Sequence, residues 1–124
     1  MKSTILVIDD DIAIVETLKA LLNAVGYETL TALDGDEGFS KAKENTPALV
    51  ILDLLLPSQD GFEVYLRLKK DEATARIPVI VLSSFAEIPK FPDAADGITI
   101  QPGMFVPKPV EPGKLLEIIR SALA

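Results

Sequence analysis

The sequence predicts an α/β fold built on a parallel sheet with helices on both faces. Three observations carry this reading. Short β-like runs alternate with runs of helical period along the chain, as in strand–helix–strand units. The run "ALVILD", Ala48 to Asp53, is apolar up to its last residue and so suits a strand covered on both sides. The polar residues that look out of place all close strand-like runs, where ligands bind in open parallel sheets.

Taken in order, "TILVID" (Thr4 to Asp9) is the first strand. A helix follows, with apolar residues at Ile14, Val15, Leu18, Leu21, Leu22 and Val25, and Gly26 ends it. "YETLTA" (Tyr27 to Ala32) is the second strand, and Asp34-Gly35 turns the chain into a short helix with Phe39 and Ala42, broken by Thr46 and Pro47. After the third strand, Asp60 is expected to cap a helix carrying Phe62, Val64 and Leu66. "IPVIVLSS" (Ile77 to Ser84) is the fourth strand, and a fifth lies around Met104 to Pro107. The final helix has Leu115, Leu116, Ile118, Ile119 and Leu123 on its apolar side, with Pro112 suited to its first turn.

At 124 residues and 48% hydrophobic content, the chain is expected to form one domain, residues 1–124, without staples. Its longest apolar runs are too short to span a bilayer and are broken by Asp or Pro, and no basic and apolar signal segment follows Met1. A cytoplasmic, membrane-free protein is the expectation. The absence of cysteine excludes disulfides and thiol chemistry, and the absence of histidine removes the commonest general base and the usual phosphohistidine carrier. A net charge of −7 argues against a basic nucleic-acid footprint and favours metals and basic protein surfaces as counter-ions.

Asp9, Asp10 and Asp11 close the first strand, Asp53 the third, Ser83 and Ser84 the fourth, and Lys108 the fifth. In a parallel sheet these ends form one edge, so four segments converge on one small site. Carboxylates without histidine or cysteine make a hard, oxygen-only environment that suits Mg²⁺ better than zinc. Such an ion relieves the mutual repulsion of the acids and accepts phosphate oxygens at its open positions, while Lys108 and the Ser83 hydroxyl hold others. A carboxylate, with a reference pKa of about 3.9, is a nucleophile at neutral pH without a base.

"ILVIDDD", "LVILDLLLPSQDG", "IPVIVLSS" and "FVPKPV" resemble, in order and spacing, the signature segments of the two-component response-regulator receiver domain, over essentially the whole chain. The resemblance implies a doubly wound, flavodoxin-like sheet of strand order 2-1-3-4-5. It implies Asp53 as phosphoacceptor, Asp10 as direct Mg²⁺ ligand with Asp9 alongside, and the Leu55 carbonyl completing the protein's share of the coordination. Ser83 matches the switch hydroxyl, Phe105 its aromatic partner, and Lys108 the family lysine, with a Lys108-Pro109 bond like the family's cis peptide. Ser84, small, leaves the phosphoryl group accessible. A sensor histidine kinase or histidine phosphotransfer protein is then the donor and an unidentified downstream protein the receiver of the signal. The chain would catalyse its own phosphoryl transfer and hydrolysis, which makes it a signalling protein at the margin of the enzymes.

Other readings are a haloacid-dehalogenase-type phosphatase, which wants a second acid where Leu55 stands, and a flavodoxin-like electron carrier, whose phosphate the acidic triplet would repel. A receiver-like interaction module that is never phosphorylated is the closer rival, and retention of every matching polar position argues against it. The chain departs from the family between Pro89 and Pro112, which holds six of its nine prolines. A short or distorted fourth helix and an extended Ile98 to Ile100 are expected there. This alters the fourth-helix, fifth-strand and fifth-helix surface that receivers use for signalling or for pairing as homodimers. Leu55 and Phe85, both apolar, are expected to disfavour water attack and slow autodephosphorylation.

Overall fold

The computed structural model describes residues 3–54, 61–84, 97–98 and 100–124. Their elements follow the expected alternation: β1 (Thr4–Ile8), α1 (Ile12–Ala24), β2 (Glu28–Ala32), α2 (Gly35–Asn45), β3 (Leu49–Asp53), α3 (Gly61–Lys70), β4 (Val79–Ser83), β5 (Phe105–Pro107) and α4 (Pro112–Leu123). All strand pairs are parallel and the sheet order is β2-β1-β3-β4-β5, the order that the sequence resemblance implies. The expected short fourth helix, Asp60 and Phe85 lie outside the described residues, as does Leu55. Ile98 and Ile100 belong to no regular element, and Ile100 is buried in the core.

Alternation along the strands decides the two faces of the sheet. Leu6, Ile8, Val50, Leu52, Val79 and Val81 point to one side, where Ala42 of α2 and Val64, Tyr65 and Leu68 of α3 cover them. Ile5, Val7, Leu49, Ile51, Ile80 and Leu82 point to the other, under Val15, Leu18 and Leu22 of α1 and Leu115 and Ile119 of α4. Each fully buried Leu or Ile contributes about 1.5–3 kcal/mol of transfer free energy, which is what fixes the helices over the sheet. In α1 the buried stripe is narrower than the apolar pattern: Val25 is the C-cap and is exposed. Gly26 then leaves the helix at φ +98°, a conformation that suits glycine.

The ends of the elements match their local chemistry. Asp34 caps α2 by accepting from the Glu37 amide, and Thr46 closes that helix in the left-handed region at φ 40°. Pro112 occupies the first turn of α4. Pro107, which has no amide hydrogen to donate, sits in β5 at the sheet edge, where it is tolerated.

Candidate functional site

The acidic triplet divides into three roles at the end of β1. The Asp9 amide still donates to the Ala32 carbonyl (3.0 Å), so this residue continues the sheet and is fully buried. Its Oδ1 accepts from the Asp11 amide (2.9 Å), a turn that fixes the carboxylate in place. Asp10 is exposed, and Asp11 caps α1 through Oδ1, accepting from the amides of Ala13 (2.9 Å) and Ile14 (3.4 Å).

Register brings the other strand ends to the same edge. Ile8 pairs with Leu52, Asp53 with Leu82, and Ser83 with Pro107. Asp53 is 3% exposed and Ser83 is fully buried, whereas Ser84 is exposed. The Lys108 amide donates to the Ser83 carbonyl (2.8 Å), which ties the lysine to the end of β4, and the Lys108-Pro109 peptide is cis. Lys108 Nζ lies 3.2 Å from Asp53 Oδ2 and 3.6 Å from Asp9 Oδ2. Phe105, half-buried, packs with the Val79 and Val81 side of the core and pairs with Val81 across the ladder. Gly61 donates its amide to the Leu54 carbonyl (3.0 Å), and a Cβ there would lie 2.4 Å from the Leu54 Cα, so only glycine closes this side of the site.

The electrostatics are unbalanced in favour of a cation. Oxygens of Asp9, Asp10 and Asp53 all lie within 4.8 Å of one another. Three ionised carboxylates facing one ammonium leave two negative charges in excess. Burial raises the Asp9 carboxyl to about 6, and the charges of Asp53 and Asp10 add to the rise; the Asp11 amide and Lys108 offset part of it. Asp9 Oδ2 is buried with no hydrogen-bond partner. A buried carboxylate oxygen that no donor hydrogen-bonds and that Lys108 reaches only at 3.6 Å, beside two other carboxylates in an oxygen-only donor set, fits a divalent hard cation such as Mg²⁺. Asp9, Asp10 and Asp53 are the described residues that would hold it.

One feature beside the site had no distinct sequence signal. Between α1 and the Lys108–Pro112 connection lies a groove of about 540 Å³, lined by Ile14, Leu18, Leu21, Pro109, Val110 and Lys108 among others. In the sequence, Ile14 and Leu21 read as part of the core stripe of α1; here they border an apolar surface. Ile12, at the start of the same helix, is 62% exposed.

The family model described as "Response regulator receiver domain" matches residues 5–120. The DNA-binding dual master transcriptional regulator RpaA of Synechocystis is 38% identical over 119 residues, which cover 96% of this chain and 48% of RpaA. The response regulator PleD of Caulobacter vibrioides is 35% identical over 121 residues, 98% of this chain and 26% of PleD. The chain therefore spans half or less of the length of these relatives. The chemotaxis response regulator CheY4 of Vibrio cholerae, a solved structure, superposes with a TM-score of 0.83 at 26% identity, over 99% of this chain and 100% of that one.

Proposed function

The chain belongs to the response regulator receiver domain family of two-component systems, and from that premise we propose that Asp53 is its phosphoacceptor. The observation that carries this reading is the contact of Lys108 Nζ with the carboxylates of Asp53 and Asp9 at one buried sheet edge. An Asp53 oxygen attacks the phosphorus of a phosphohistidine on a sensor kinase or phosphotransfer protein. The new P–O bond replaces the P–N bond of the donor, and the product is an aspartyl phosphate. Lys108, already between the two carboxylates, takes a phosphoryl oxygen, and the Ser83 hydroxyl at the end of β4 takes another. Asp9, Asp10 and Asp53 would hold Mg²⁺, which when bound would supply charge neutralisation at phosphoryl oxygens that carboxylates alone would repel.

The switch belongs to the same proposal. Drawing the Ser83 hydroxyl toward a phosphoryl group alters packing at the β4–β5 pair, and Phe105 follows into the space, which shifts the population of two surface conformations. The groove beside Lys108 would give the donor protein an apolar seat next to the site, and Ile12 is exposed at the start of α1, which borders it. Ile14→Glu is therefore expected to slow transfer from a cognate kinase about tenfold or more while leaving modification by acetyl phosphate unchanged. A cytoplasmic location fits this role, and among the described residues no helix is long and apolar enough to cross a membrane.

The test is intact mass after incubation with acetyl phosphate, with and without Mg²⁺, for the native chain and for Asp53→Ala. One phosphoryl adduct that needs both Mg²⁺ and Asp53 supports the proposal. No adduct on folded, Mg²⁺-supplied protein overturns it and leaves the interaction module.

A further inference from the structure

At the end of the sheet remote from Asp53, a cleft of about 450 Å³ lies between α3, the start of β4, the segment leading into β5 and the end of α4. Its lining includes Tyr65, Lys69, Val79, Gln101, Met104 and Ala122. The volume is in the range of small-molecule sites, and polar and apolar groups share the lining.

Lys69 is the one charged residue in the lining of this cleft. It is half-buried, its Nζ donates to the Ile77 carbonyl (2.8 Å) and lies 5.9 Å from the centre of the Tyr65 ring. Lys41, Lys43, Arg67 and Lys108 each meet a carboxylate, but among the described residues Lys69 meets none. An ammonium half withdrawn from water, with one neutral acceptor and a ring face for partners, has donor directions left that an anion in the cleft can take. Burial accordingly lowers its pKa. Gln101 adds an amide at the same cleft, while Ile98, Met104 and Ala122 offer a surface that a bare inorganic anion cannot use.

We propose that this cleft binds a small organic anion, a carboxylate with an apolar body, whose charge pairs with Lys69 and whose tail lies against Ile98, Met104 and Ala122. The site is separate from the phosphoacceptor, so Asp53→Ala leaves it intact, and failure of either proposal does not touch the other.

The experiment is an NMR titration of the full chain with sodium hexanoate, with hexan-1-ol and inorganic phosphate as controls. Hexanoate is expected to give saturable shifts at Lys69, Tyr65, Met104 and Ala122, with the resonances of Asp9 and Asp53 unmoved. Lys69→Gln, which keeps a donor for the Ile77 carbonyl, is expected to weaken binding about tenfold, the cost of losing a charge-assisted hydrogen bond. Should that variant not fold, Ala122→Glu decides, because a carboxylate placed on the wall beside an intact Lys69 abolishes hexanoate binding. Equal binding of hexan-1-ol, equal binding of phosphate, hexanoate binding undiminished in either folded variant, or no saturable shift would each overturn the proposal.

Discussion

Two half-buried lysines stand at opposite ends of β4, and they differ in that carboxylates face one and not the other. Lys108 is joined to the carboxyl end of the strand through Ser83 and faces two buried carboxylates. Lys69 is joined to the amino end through the Ile77 carbonyl and faces a neutral oxygen, an aromatic ring and apolar side chains. One ammonium offsets a negative cluster that would otherwise be intolerable. The other is itself the uncompensated charge. The two ends of β4 thus carry local charge of opposite sign.

The same substitution at both positions tests this directly. Lys108→Met is expected to have the largest effect, about 3–5 kcal/mol of lost stability at pH 8 by urea denaturation, because it strands two buried carboxylates. That loss should shrink toward pH 5, where Asp9 protonates. A smaller effect belongs to Asp9 alone in metal-free protein. Its folded value of about 6 lies above the ordinary 3.8, so its contribution to stability is full below about pH 4 and is lost as pH rises to about 6. Thermal unfolding in EDTA should show this decline in the native chain but not in Asp9→Asn, and added Mg²⁺ should restore stability above pH 6. Lys69→Met is expected to have the smallest effect, within about 1 kcal/mol, since the lost bond to Ile77 is offset by removing an under-solvated charge. A large loss at Lys69 or a negligible one at Lys108 would erase the contrast.

Much of the fold was legible because an apolar run that stops at a carboxylate marks where a covered strand meets water. Asp9 and Asp53 both follow such runs and both lie at the sheet edge, and the strand limits differ from the sequence reading by one or two residues. The division of labour within Asp9, Asp10 and Asp11 was only partly legible. Asp11 as the α1 cap could be read from position, but the burial of Asp9 and exposure of Asp10 come from the turn that Asp9 makes with the Asp11 amide. Lys69 was invisible for a different reason. "LRLKK" reads as the basic last turn of a helix, and the groups that shield this lysine come from β4, the approach to β5 and α4, distant in sequence. The α1 groove was missed because half-buried and buried positions share one helical period.

The most direct test of the central claim is to locate the phosphoryl group. The chain is phosphorylated with acetyl phosphate and Mg²⁺, reduced with borohydride so that an aspartyl phosphate becomes homoserine, and sequenced by tandem mass spectrometry. Homoserine is expected at position 53 and nowhere else; homoserine at position 9 or 10, or intact aspartate at all three, rules out Asp53 as the phosphoacceptor.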